Sequence, residues 1–392
     1  MTRQIDTSVR AALWSYGAML NLNRLALVMI VRDEARCIER CLASARPWVD
    51  EIVVLDTGSL DATAALARQG GARVAQFSWV DDFAAARNAA LALTDAPWCL
   101  VLDADEWIEG GGAVLRALRD TPADFIGQIS VASEFDLGTS VGTHTKVVGH
   151  APSWLPRVLP NGVGYAGRIH EQPVSTLPRR RLAVSVGHDG YRAAQRAAKD
   201  GRNERLLALA LTEQPHDAYL RYQLGKDFEV REHFVAAAPH YLQALAATES
   251  HAAWRHDLVL RALFTLKRLG EFERAIELAQ TEMAHWSASP DFYFALGDLL
   301  LDWTASRPQR CAELLPMIES SWLRAIEIGE QPELQDSVRG RGSYLAAHNL
   351  AVLYAGLGDS AQAAHWRARE LAFGDNSATL RSSAVNDLVA LN

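Results

Sequence analysis

Up to about residue 205 short apolar runs alternate with helical stretches; from about Leu206 onwards strand signals vanish and helical periodicity takes over. This change of texture constrains the fold most, because the two patterns call for two different layer structures. Leu25–Val31 is an unbroken apolar run of strand length, which suits a parallel strand buried on both faces. Arg36–Ala45 reads as a helix and Glu51–Leu55 as a second strand. Asp61 can cap a helix from Ala62 to Gln69, and Gly70-Gly71 supplies its stop. Arg73–Phe77 is a third strand, Phe83–Thr94 a helix and Trp98–Leu102 a fourth strand. That order predicts an α/β, Rossmann-like doubly wound parallel sheet.

The second half is self-similar. One unit holds Leu224-Gly225, Phe228, Ala237, Tyr241 and Ala244; a second holds Ala262-Leu263, Leu266, Gly270, Ala275 and Leu278. A third has Leu296-Gly297 and Leu300 and then, after an insertion, Trp322 and Ala325; a fourth has Leu350-Ala351, Tyr354, Gly358 and Ala363. Small residues let paired helices approach closely, and the aromatics fill the gaps between neighbours. The offsets are similar to those of tetratricopeptide repeats, so an all-α helical-repeat domain is expected. The expected division is an extension over 1–24, the α/β domain over 25–205 and the repeats over 206–392.

At 392 residues the chain is long enough for two or three domains, and its 49% hydrophobic content fills their cores. No apolar run reaches the ~18 residues that span a bilayer. A net charge of −8 argues against a partner bound through nucleic-acid phosphates. Arg3, Arg10 and Ala11–Leu20 loosely imitate a signal peptide, but Trp14, Ser15 and Tyr16 interrupt the apolar run and no small-x-small site follows. The stretch reads as a surface helix or a mobile extension. Cys37, Cys41, Cys99 and Cys311 lack the spacing of a structural zinc site and read as reduced, mostly buried thiols in the cytoplasm.

Val101-Leu102-Asp103-Ala104-Asp105-Glu106 is the strongest chemical feature. It sets carboxylates directly after a buried strand, where open parallel sheets bind ligands. Crowded acids are costly unless a cation neutralises them, and hard oxygens suit Mg2+ or Mn2+ bridging to substrate phosphates. A second strand end carries Asp56-Thr57-Gly58-Ser59-Leu60-Asp61; there Asp56 is an acceptor for a base ring and Gly58 allows close backbone approach. In Asp82-Phe83-Ala84-Ala85-Ala86-Arg87-Asn88, Arg87 can hold a phosphate or a base carbonyl. Between Arg157 and Arg205 the local balance is +6, as a diphosphate leaving group needs. Arg179-Arg180-Arg181 within it reads as a solvated loop.

The order and spacing of these motifs resemble family 2 glycosyltransferases of the GT-A fold, over about residues 25–205. Met29-Ile30-Val31-Arg32-Asp33-Glu34 resembles that family's first strand and acidic turn, although Asp33-Glu34-Ala35 replaces the usual Asn-Glu-Glu. The resemblance implies base or donor contacts from Asp33 and Asp56, and metal and diphosphate contacts from Asp103 and Asp105. It carries Arg87 and Asn88 into the donor site too. Gly167-Arg168-Ile169-His170-Glu171 is similar to the His-Glu element of one branch. Gly187-His188-Asp189-Gly190-Tyr191, with Lys199 and Arg202-Asn203-Glu204, is similar to its closing segment. His188 is then a third metal ligand or a phosphate donor, and Arg202 a donor contact. That branch includes enzymes with appended tetratricopeptide repeats, such as sublancin-type peptide S-glycosyltransferases.

The resemblance implies inversion at the anomeric carbon, a nucleotide-sugar donor expected to be a UDP-hexose, and a base that takes the acceptor's proton. Glu171 is the candidate base, set in an extended segment; Glu106 and Asp189 are alternatives. The repeats are expected to recruit a peptide or protein acceptor or to hold a second subunit in a homodimer. A saccharide acceptor, and a scaffold that has lost catalysis, are the rival readings.

Overall fold

The computed structural model describes residues 24–139, 146–188, 201–334 and 336–373, with backbone alone at 133–139 and 146–152. The expected extension short of Arg24, and Asp189, Gly190, Tyr191 and Lys199, lie outside the described residues. The chain divides into two compact units, Met1–Glu213 and Gln214–Asn392.

In the first unit β1 (Leu25–Val31), β2 (Glu51–Asp56), β3 (Arg73–Gln76) and β4 (Trp98–Val101) run parallel in the order β3-β2-β1-β4. The helices between them are α1 (Ile38–Ala45), α2 (Thr63–Gln69) and α3 (Phe83–Leu91). The unbroken apolar run of β1 now has its reason. Leu25, Leu27, Met29 and Val31 enter one core with Ile38, Cys41, Leu42 and Ala67 of α1 and α2. Ala26 and Val28 enter another with Ala90 of α3. Each fully buried aliphatic side chain contributes on the order of 2 kcal/mol.

The sheet is mixed rather than wholly parallel. Beyond β4 it continues through β7 (Lys146–Pro160), β6 (Ile126–Thr139) and β10 (Arg179–His188) to β5 (Glu106–Gly110). β7 pairs antiparallel with both β4 and β6, β10 runs parallel to β6, and β5 runs antiparallel to β10. Short α4 (Gly112–Ala117) follows β5. A separate hairpin pairs β8 (Gly164–Ala166) with β9 (Gln172–Val174). Arg179-Arg180-Arg181 opens β10 instead of forming a loop; its side chains stay exposed, and Arg181 lies over the Trp154 ring at 4.8 Å.

A fifth helix, α5 (Arg202–Glu213), belongs to this unit and crosses the boundary expected at 205. Arg205 clasps Asp81 through two hydrogen bonds of 3.0 and 2.6 Å, and Arg168 reaches Glu213 at 2.6 Å.

The second unit is made of helical hairpins. The first pairs α6 (Ala218–Val230) with α7 (Phe234–Ala247), the second α8 (Arg255–Arg268) with α9 (Phe272–Glu282). The third pairs α10 (Pro290–Ser306) with α11 (Cys311–Ile328), and the fourth α12 (Tyr344–Gly356) with a helix over 360–373. The small residues do what their offsets predict. A Cβ on Gly225 would stand 2.6 Å from the Tyr241 ring, and one on Gly297 2.4 Å from Trp322. Both aromatics are fully buried. The insertion in the third unit is longer helix: 17 and 18 residues against 13 and 14 in the first hairpin. Among the described residues no helix is long and apolar enough to cross a membrane.

Candidate functional site

β1, β2 and β4 end together, and β1 lies between the other two, so the chain leaves it on one side and returns on the other. A crevice at such a reversal is where open α/β sheets take ligands. Two loops at this edge are laced side chain to backbone. Asp33, at φ 55°, donates its N–H to Ser59 Oγ at 3.0 Å and accepts from Leu60 N at 2.7 Å. Glu34 N donates to Thr63 Oγ1, and Ala35 N to Asp61 Oδ2. Asp61 also accepts from Thr63 N at 2.9 Å, so it ties the two loops while the helix starts one residue later than expected.

Asp56 is buried beneath this lacing. Its Oδ1 accepts from the Gly58 and Ser59 amides and from Ser59 Oγ, and its Oδ2 from Gln76 Nε2 at 3.0 Å. Burial opposes its charge, but these donors hold its carboxyl below the usual range.

The acidic turn after β4 holds the densest charge. Arg87 Nη2 donates to Asp103 Oδ1 at 2.8 Å and Arg157 Nη2 to Asp103 Oδ2 at 2.9 Å. Arg157 Nη2 also bonds Glu106 Oε1, while Glu106 Oε2 accepts the Asp103 N–H at 3.0 Å. Burial would raise the Asp103 carboxyl, yet the two guanidiniums hold it well below its ordinary value. At Glu106, 2% exposed, burial prevails over Arg157 and the pKa is raised. Both Glu106 oxygens carry a bond inside the protein.

Glu171 joins the same cluster. Gly167 at φ 100° and His170 at φ 52° place it in a tight turn between β8 and β9, not in the extended segment expected. The Arg87 Nε donates to Glu171 Oε1, and the pair is nearly buried. Asn88, expected at the donor, instead grips Tyr165: its Nδ2 donates to Tyr165 O at 2.9 Å and its Oδ1 accepts from Tyr165 N at 2.7 Å. That fixes the Tyr165 ring 5.6 Å from the Arg87 guanidinium, and burial pushes the phenol up to about 12. Arg202, also expected at the donor, lies over the Phe83 ring at 5.4 Å and hydrogen-bonds Asn203.

His188, the last residue of β10, brings Nε2 to 3.4 Å from Asp105 Oδ2. Burial disfavours the imidazolium, but the hydrogen bond to Asp105 and the charges of Asp105, Glu106 and Asp103 raise its pKa above the ordinary value. Among the described residues no group of three or more His, Cys, Asp or Glu side chains converges as a metal cage. A divalent cation still fits the donor set. Asp105 offers a hard carboxylate oxygen and His188 an imidazole nitrogen 3.4 Å from it, beside the further acids Asp103, Glu106 and Glu171. Asp105 and His188 would hold it, with substrate phosphates completing a Mg2+- or Mn2+-type shell. Asp103 was expected as a ligand too, but both its oxygens carry guanidiniums.

Sequence reasoning missed Arg157 and Tyr165 as site residues. Arg157 had a signal: it is the one charged residue in the otherwise uncharged stretch Ser153–Pro160. Tyr165 had none, because its place is set by Asn88 from far along the chain.

Laced strand ends beside a crowded acidic turn stand where open α/β sheets take their ligands. Residues 26–158 match Glycosyl transferase family 2. A TPR repeat-containing protein of Synechococcus elongatus is 34% identical over 284 residues, which cover 66% of each chain. The prophage-derived glycosyltransferase SunS of Bacillus subtilis is 24% identical over 290 residues, 70% of this chain and 66% of that one. A solved structure of glucosyl-3-phosphoglycerate synthase from Mycobacterium tuberculosis, with Mn2+, UDP and glucosyl-3-phosphoglycerate, aligns with 30% of this chain and 45% of its own. Its TM-score is 0.24 at 25% identity. The chain spans about two thirds of the length of the two curated relatives. Its first domain belongs to the family 2 glycosyltransferases, and helical repeats follow it.

Proposed function

We propose that this chain transfers a hexose from a nucleotide sugar, with UDP as the nucleotide, to a peptide or protein acceptor that the repeats recruit. The observation that carries the reading is the turn Asp103–Glu106: a buried, guanidinium-braced acidic turn at the sheet's crevice, in a family 2 domain. Likeness to a glycosyltransferase over 70% of the chain supports the fusion of such a domain to an acceptor-recruiting half.

In this reading the loops at Asp33 and Asp56 hold the base and ribose side of the donor. Asp105 and His188 hold the cation, which when bound offsets the charge of the departing diphosphate. Arg87 and Arg157 keep Asp103 ionised and hold Glu171 and Glu106 in place. The acceptor attacks the anomeric carbon from the face opposite the diphosphate and inverts it, and Glu171 takes the acceptor's proton. The hydrogen bond from Arg87 fixes the direction of that carboxylate before the acceptor arrives. Four free thiols, three of them buried, support a reducing cytoplasmic setting.

The test is a panel of nucleotide sugars incubated with the whole chain and Mn2+, read as free nucleotide released. Turnover of a UDP-hexose supports the reading; no turnover of any donor, with no binding of UDP, overturns it. Faster transfer to surface-type oligosaccharides than to peptides would move the acceptor to the saccharide alternative.

A further inference from the structure

Arg157 comes from β7, the antiparallel neighbour of β4 in the sheet, and its side chain is almost wholly buried. One nitrogen, Nη2, serves two carboxylates: Asp103 Oδ2 at 2.9 Å and Glu106 Oε1. The two acids are also tied through the backbone. Asp103 N–H donates to Glu106 Oε2 at 3.0 Å, and Glu106 N–H donates to Asp103 O at 3.1 Å. Cys41 Sγ donates to the same Asp103 carbonyl at 3.5 Å. The four-residue turn is therefore closed at both ends, with Arg157 as the clasp. Asp105 is the residue inside that closed turn whose carboxylate points to His188, 3.4 Å away.

We propose that Arg157 is a positioning residue for the transfer: with Glu106 it clasps the turn 103–106 and thereby aims Asp105 at His188. Asp103 and Glu106 are engaged by the clasp, which leaves Asp105, itself buried, held toward His188 on a rigid mount. This deepens the function proposed above and rests on it for the identity of what Asp105 and His188 hold. The clasp is costly to lose. A buried carboxylate stripped of its partner is among the most destabilising lesions a protein can carry. Groups that orient a metal ligand typically change metal affinity 10- to 100-fold when they are removed.

The test uses the whole chain with three substitutions, Arg157→Met, Arg157→Lys and Glu106→Gln, and two readouts. The first is the affinity for Mn2+ in the presence of UDP, measured by calorimetry. The second is hydrogen exchange of the segment 103–107, measured by mass spectrometry with no ligand. Arg157→Met is expected to weaken Mn2+ binding by about tenfold or more and to speed exchange of that segment. Arg157→Lys, which keeps a cation able to bridge two acids, restores both in large part. Should Arg157→Met fail to fold, Glu106→Gln loosens the clasp while Arg157 keeps Asp103 as its partner, and the same two changes are expected. Unchanged exchange and unchanged Mn2+ affinity in the variants overturn the proposal. If the unmodified chain binds neither UDP nor Mn2+, the donor-site reading falls instead, and the exchange readout alone decides the clasp.

Discussion

Asp103 and Asp105 stand two residues apart and do different work. Asp103 lies between two guanidiniums, whereas Asp105 pairs with the mostly buried His188. The motif itself was legible, because burying acids at the end of an apolar strand is costly without a counter-charge. The division of labour was not, since it depends on Arg157, which enters from a strand about fifty residues later. The same applies to Asn88: its residue type was noticed, but its partner is the backbone of Tyr165. Asp105→Asn is expected to keep the melting temperature while losing at least ~10²-fold in kcat, as removal of transition-state charge stabilisation does. Retained activity in that variant would contradict the role given to Asp105. Asp56→Ala is expected to weaken UDP binding and to lower the melting temperature as well, because three donors from residues 58–59 and one from Gln76 lose their acceptor. Calorimetry with UDP, run beside a thermal melt, separates the two effects.

At the scale of elements, the first four strands and three helices were readable to within a few residues, because their apolar runs satisfy both faces of the sheet. The outer half of the sheet was not. β6 and β7 are long antiparallel partners whose register is set by each other, and β10 slots in parallel to β6 behind an arginine triplet that looked like a loop. In the repeats the small residues carried the signal, since Gly225 and Gly297 each face an aromatic ring. Gly225→Val drives a side chain into Tyr241 and is expected to cost about 1–3 kcal/mol through overpacking. A denaturant titration of the whole chain, followed by a signal from the helical unit, measures it.

The same hairpins hold a buried charge whose pH dependence has a definite sign. Asp257 accepts from Arg261 Nε at 2.6 Å and from the Tyr222 hydroxyl. Burial would raise its pKa, but Arg261 and Lys226 lower it below the ordinary carboxylate value. A depressed carboxylate stabilises the fold above the unfolded pKa of about 4 and loses that contribution as pH falls through its folded value. Asp257→Asn should therefore flatten the decline in melting temperature below pH 4, and an unchanged acid limb would contradict this.

For the whole molecule, the two-unit organisation followed from the change in sequence texture, but the dividing point did not. The helix α5 looks like the first of the repeats by composition, yet Arg205 and Glu213 bond Asp81 and Arg168 of the first unit. A fragment ending at 205 would lose the Arg168–Glu213 bond and the helix that carries Arg205; one ending at Glu213 keeps both. If the repeats recruit the acceptor, residues 1–213 should hydrolyse donor slowly and transfer poorly. Transfer to acceptor at the full rate would remove recruitment from the account. The central claim, that the acidic turn serves nucleotide-sugar chemistry, has a more direct test in the intact chain. Incubate it with UDP-hexoses and Mn2+ and measure free UDP, with Asp105→Asn and a chelator as paired controls. The account predicts UDP release from at least one hexose donor that falls by ~10² or more in both controls; release that is equal with and without Asp105 would contradict it.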